Sequence, residues 1–143
     1  MKEKFIIQPC QKQNITAIIK GINTYNVSKV PALAPAWTPL EFVIKDENGK
    51  EIGGVLSGIG CWNGLEIRIL WVAEAYRGMG IGTQLLNHIE TIAVSKGAEI
   101  AMLDTFNFQA EGFYLKNGYT VIGEIKGFPK GQRRIYLSKL LRP

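Results

Sequence analysis

The spacing of apolar residues changes several times along the chain, and each change marks a predicted element. Phe5-Ile6-Ile7 is a short continuous apolar run and predicts a first strand. From Gln13 to about Tyr25, Ile15, Ile18, Ile19 and Ile22 fall at the spacing of one face of an amphipathic helix. The order then breaks down: Val30 to Pro39 holds three prolines, which suit neither a regular helix nor a central strand. This stretch is expected to be a loop, and its bulky Trp37 suggests that it covers something. Phe42-Val43-Ile44 and Ile52 to Leu56 flank Asn48-Gly49, a strong hairpin signal. A further turn at Asn63-Gly64 opens a strand from Leu65 to Val72, so three strands in succession predict an antiparallel meander.

Beyond this point the period lengthens. Ile81, Leu85, Ile89, Ile92 and Ala93 repeat at helical spacing between Gly80 and about Lys96, and Gly97 ends the run. Ile100-Ala101-Met102-Leu103 reads as a short buried strand. A second helix is expected over Phe108 to Lys116, stopped by Asn117-Gly118. Strands at Tyr119–Glu124 and Arg133–Leu140 follow, joined by a loop from Gly127 to Gly131. The expected order is β-α-β-β-β-α-β-α-β-β, a mixed α/β (α+β) fold with helices packed on one sheet, forming a single domain over residues 1–143.

Composition narrows the class. Apolar residues make up 46% of the chain, enough for a full core. No apolar run approaches the roughly 20 residues that cross a bilayer, and the N-terminus lacks a signal-peptide core. A cytoplasmic location without membrane attachment is expected. Cys10 and Cys61 form no CxxC pattern, which argues against a zinc site or disulfide scaffold; two buried thiols are expected, and no metal. Cys61 could form an acyl-enzyme, but no base is evident beside it. The single histidine, His88, falls within the helical segment and reads as a surface residue. The net charge of +5 and pI near 9.3 owe much to late residues such as Lys126, Lys130, Arg133, Arg134, Lys139 and Arg142. They lack the aromatic interleaving of a nucleic-acid surface and read as a solvated strand face.

The chemistry concentrates between Leu70 and Leu86. A strand runs into Arg77-Gly78-Met79-Gly80-Ile81-Gly82-Thr83, and that turn opens an amphipathic helix. Glycines let backbone approach a ligand, and the first N–H groups of a helix are unpaired at the positive end of its dipole. Together they suit a pyrophosphate. A P-loop would need Lys and then Ser or Thr after its last glycine, where Thr83-Gln84 stands here. A dinucleotide fingerprint fails too, because the glycines run Gly78-x-Gly80-x-Gly82 after antiparallel strands.

Two patterns in this half of the chain resemble the GCN5-related N-acetyltransferases (GNAT). One is Arg77-x-x-Gly80-x-Gly82 after the strand ending at Val72; the other is Asn107-x-x-Ala110-x-x-x-Tyr114, followed by Lys116-Asn117-Gly118-Tyr119. The resemblance covers most of the chain from Phe42 onward. It implies an acetyl-CoA-dependent N-acetyltransferase using direct transfer in a ternary complex. Backbone from Gly78 to Thr83 (Gly78, Met79, Gly80, Ile81, Gly82, Thr83) would hold the pyrophosphate, with charge from Arg77. Backbone of Leu70, Trp71 and Val72 would meet the pantetheine arm, and Asn107 would contact that arm or cap a helix. Tyr114 would protonate the departing thiolate; a phenol has a pKa of about 10 and keeps its proton at neutral pH. Its alternative is a core aromatic beside Phe113.

For the base, the resemblance points to Glu66, on the strand before the turn. Alternation predicts that Glu66, Arg68, Leu70 and Val72 share one face, and an ion pair with Arg68 or a solvated position is the competing role. The family often has Pro shortly before the Arg, whereas Ala73-Glu74-Ala75-Tyr76 stands here. That changes the loop without removing a ligand. The acceptor is expected to be a small-molecule amine or exposed amino group, not nucleic acid. Trp37, Trp62 and Phe128 suggest aromatic walls, and Arg68, Arg133 and Arg134 suggest recognition of an acidic group. A different acyl group, a hydroxyl acceptor or a CoA-binding module without turnover stay open, as does a homodimer.

Overall fold

The computed structural model describes residues 4–142. Its contacts divide the chain into two compact units, one up to Ala32 and one from Leu33 onward. In the first unit, helix α1 spans Lys12–Lys29. It opens with Asn14 Oδ1 accepting from the Gln11 N–H at 2.9 Å. It closes at Val30, whose extended backbone is what a following proline imposes. The helix therefore runs four residues past the expected Tyr25. The expected strand at Phe5–Ile7 does not form: residues 4–11 carry no regular structure, and no ladder among the described residues includes them. Three apolar residues give a strand only where a neighbour supplies hydrogen bonds. The element order accordingly begins with a helix.

The second unit holds β1 (Trp37–Lys45), β2 (Glu51–Gly60), β3 (Gly64–Val72), α2 (Ile81–Ser95), β4 (Ile100–Phe106), α3 (Glu111–Lys116), β5 (Thr120–Lys126) and β6 (Arg133–Leu140). The sheet order is β1-β2-β3-β4-β6-β5. All neighbours are antiparallel except β3 and β4, which α2 connects in parallel. The β1–β2 turn follows its sequence signal. Gly49 sits at φ 82°, and Asp46 Oδ1 accepts from the N–H groups of Asn48 and Lys50. The proline-rich loop ends earlier than expected, because Trp37 to Pro39 already belong to β1. That strand lies at the edge of the sheet, where a missing N–H costs no ladder bond.

One face of the sheet carries the core. Leu85, Leu86, Ile89 and Ala93 of α2 are buried with Val55, Ile59, Leu65, Ile67, Leu103, Ile135 and Leu137 of the strands. His88, on the exposed side of α2, packs perpendicular to the Phe42 ring at 4.5 Å between ring centroids. Gly97 (φ 96°) ends the helix in a Schellman turn, with Ala98 N–H bonded to Ala93 O and Gly97 N–H to Val94 O. Within this largely apolar layer sits one polar knot. Glu90 accepts from the Tyr119 hydroxyl at 2.8 Å and from Lys139 Nζ at 2.7 Å, linking α2 to the strands beneath. Both thiols depart from expectation: Cys10 is exposed and Cys61 only half-buried.

Candidate active site

The site begins with an irregularity in β3. Its register with β2 slips between Leu56–Ile69 and Ser57–Ile67, so Arg68 is an extra residue opposite that step. A bulge of this kind bends the strand and resets its alternation. The expected common face for Glu66, Arg68, Leu70 and Val72 is therefore broken. Leu70 and Val72 pair with Val55 and Gly53 and share their helix-covered face, whereas Glu66 and Arg68 point to the opposite face. The bend has a second effect. β3 pairs with β4 only from Gly64–Ile100 to Ile67–Leu103, and beyond that point the two parallel strands part. Arg68 to Val72 thus keep β2 on one side and have no strand on the other.

The glycine turn closes the top of this opening. Gly78 and Gly80 both have positive φ, 79° and 81°, and a Cβ on either would meet only open space. Their role is conformational. Gly80 is the N-cap of α2, and the first helical bond is Gln84 N–H to Gly80 O. The N–H groups of Ile81, Gly82 and Thr83 therefore lack intrahelical acceptors and face outward from the helix start. Gly82 has a packing role beside the one the motif suggests. A Cβ there would lie 3.2 Å from two ring carbons of Phe113, so its missing side chain seats α3 against α2. Arg77 has a structural part as well: its Nε donates to Val72 O at 3.1 Å and ties the turn back to the strand end.

Tyr114 lies on α3 next to Phe113, hence beside Gly82 and the end of β3. Its ring is buried edge-on between Phe113 and Tyr119. The hydroxyl makes no hydrogen bond among the described residues, yet no buried side-chain oxygen there lacks a partner. The oxygen therefore reaches accessible surface. Burial, and secondarily the charge of Asp104, push its pKa up to about 12. The phenol holds its proton firmly at neutral pH. The ring packs in the core beside Phe113, as the alternative reading expected, and the hydroxyl is presented at its surface.

Asn107 is not a helix cap, because α3 starts at Glu111 with Ala110 at the cap position. Instead its Oδ1 accepts from Arg133 N–H at 2.9 Å and its Nδ2 donates to Gln132 Oε1 at 2.8 Å. One amide hydrogen remains for another partner. Sequence reasoning missed the frame that this residue joins. Gln109 Oε1 accepts from Phe106 N–H, and Arg133 bridges Glu111 and Glu124. Arg134 likewise holds Asp104. The late arginines read as a solvated basic face are thus structural struts around the β4–α3 connection. Charge-pair spacing across strands leaves no local signal in a sequence.

Glu66 stands on the open face, exposed, with its Oε2 3.6 Å from where a Cβ of Gly60 would be. It forms no ion pair with Arg68 or any other described residue. Tyr114 and Glu66 are consequently on opposite sides of the sheet.

The family model described as Acetyltransferase (GNAT) family matches residues 14–119. A blasticidin-S acetyltransferase of Streptomyces morookaense is 34% identical over 86 residues, a stretch covering 59% of this chain and 62% of that protein. The crystal structure of an acetyltransferase from Bacillus cereus superposes with a TM-score of 0.85 at 34% identity, covering 95% of this chain and 97% of that one. An aminoglycoside 6'-N-acetyltransferase complexed with coenzyme A shares the fold, with a TM-score of 0.65 at 16% identity over 93% of this chain and 96% of its own. The parted parallel strands, the glycine turn at a helix start and the presented tyrosine all lie in the second unit, and the chain belongs to the GNAT acetyltransferase family.

Proposed function

We propose that the protein transfers an acetyl group from acetyl-CoA to the primary amine of a small molecule. The observation that carries this reading is the parting of β3 and β4 beneath the glycine turn. The free N–H groups at the start of α2 suit a pyrophosphate, and the unpaired edge of β3 from Arg68 to Val72 suits an extended amide-bearing arm. An arm laid along that edge carries its thioester into the gap between the strands. Coenzyme A bound to the aminoglycoside enzyme of the same fold supports the cofactor class.

The chemistry then divides between the two faces of the sheet. The amine nitrogen attacks the thioester carbonyl carbon from the open face, where Glu66 takes the ammonium proton directly or through water. A lysine-type amine has a pKa of about 10.4, so this proton must leave before attack. Negative charge develops on the carbonyl oxygen and is met by an N–H of the unpaired β3 edge. The C–N bond forms, the C–S bond breaks, the thiolate takes the Tyr114 proton on the helix face, and the proton shed by the new amide nitrogen returns through water to the tyrosinate. Direct transfer needs no acyl-enzyme.

Calorimetric titration with acetyl-CoA tests the reading, using wild type and Gly80→Glu. The substitution puts a carboxylate at the anion site and an L side chain at φ 81°, and binding should be lost. Folded wild-type protein that binds no acetyl-CoA would remove the acetyltransferase reading.

A further inference from the structure

On the open face of the sheet, Trp37 explains why β2 has a glycine at position 58. A Cβ on Gly58 would fall 2.1 Å from the Trp37 ring, so the indole lies flat on the bare backbone there. Arg68 in turn stacks on that indole, its guanidinium carbon 4.3 Å from the ring centroid. Gly58 is paired with Glu66 in the ladder, so Glu66 stands beside the same indole, two residues from Arg68 on the same strand and face.

The sequence has five arginines: Arg68, Arg77, Arg133, Arg134 and Arg142. The other four donate to a carbonyl or carboxylate. Arg68 makes no hydrogen bond or ion pair among the described residues, although Glu66 is its neighbour. Stacking fixes the plane of a guanidinium and leaves the N–H donors along its edge free, which is the geometry that receives a carboxylate in bidentate fashion. A carboxylate and a fixed guanidinium thus stand side by side, about 7 Å apart along the strand, without pairing.

We infer that the acceptor is an amine bearing a carboxylate a few bonds away, its anionic end held by Arg68 and its amine directed to Glu66. The inference rests on the acetyltransfer reading for the identity of the site, but its own content is anion recognition. Its test is equilibrium titration, followed through the Trp37 indole resonance, with three matched probe pairs: β-alanine, 4-aminobutyrate and L-lysine, each against its primary amide. Wild type should bind at least one acid about tenfold more tightly than its amide. Arg68→Gln should erase that difference, and Arg68→Lys should keep part of it. Equal binding of acid and amide by wild type, or no binding of any probe, overturns the inference. The two readings fail separately. Amines turned over with indifference to the carboxylate remove the Arg68 role and leave acetyltransfer, whereas acid-selective binding without acetyl-CoA binding removes acetyltransfer and leaves the anion site.

Discussion

Strands β3 and β4 behave differently along their two halves. From Gly64 to Ile67 they are closed by a parallel ladder, and Leu65, Ile67, Ala101 and Leu103 are buried beneath α2. From Arg68 onward the same strands part, and the unpaired β3 edge and the glycine turn lie at that end, while the proposed base Glu66 is the last outward residue of the closed half, paired with Met102. The closed half is fastened further by Glu90, Tyr119 and Lys139, while the open half is framed by hydrogen bonds that stop short of closing it. The lesson is a separation of tasks: fold stability resides where the strands meet, cofactor binding is proposed where they part, and the proposed base Glu66 stands just inside the boundary. Substitutions in the two halves should therefore produce different defects.

The largest expected effect lies in the open half. Tyr114→Phe keeps the ring and deletes the acid, so kcat should fall about a hundredfold. Acetyl-CoA affinity and the folded circular dichroism spectrum should be retained. Steady-state kinetics beside calorimetry would reveal this, and a fall in stability matching the fall in rate would merge the two halves again. In the closed half, Glu90→Ala leaves the Lys139 ammonium without its partner. The expected cost is about 2 kcal/mol by urea denaturation, below the fully buried case because the Lys139 side chain is 25% exposed. Acetyl-CoA affinity should not move.

The smallest effect sharpens the comparison through pH. Burial and then Asp104 raise the Tyr114 pKa to about 12, above its unfolded value of about 10. The folded protein holds the proton longer than the unfolded chain does. This contribution to stability is complete below about pH 10 and is lost as pH rises toward about 12. Wild type should therefore lose about 1 kcal/mol relative to Tyr114→Phe between about pH 9 and pH 11. Tyr119, raised by burial, then by Glu90 and least by Tyr114, stays protonated in the folded state across this range in both proteins, so its contribution largely cancels. Parallel curves for the two proteins would mean that the Tyr114 hydroxyl is as hydrated folded as unfolded.

How much of this was legible depended on how local each cause was. The Asn48-Gly49 hairpin, the helix ending at Gly97 and the glycine turn before α2 rest on preferences spanning a few residues, and they follow the sequence closely. Phe5–Ile7 failed because a strand is a property of two segments, only one of which a local pattern describes. The faces of Glu66 and Leu70 were misjudged because alternation says nothing about a bulge. Asn107 was visible as a motif, but its partners Gln132 and Arg133 lie 25 and 26 residues away. Gly58 was unremarkable in sequence, since its meaning depends on a tryptophan from the adjacent strand.

The bulge at Arg68 carries a consequence for engineering. Deleting that one residue would let Ile67 and Ile69 follow each other in an even ladder with Ser57 and Leu56, without altering which side Leu70 or Val72 occupies. The straightened strand could then zip onto β4 beyond Leu103, giving a tighter sheet with its doorway shut. Chain length, one residue of surplus on one strand, is what holds that doorway ajar. Any graft or shuffled segment crossing β3 would have to preserve the surplus before its chemistry could matter.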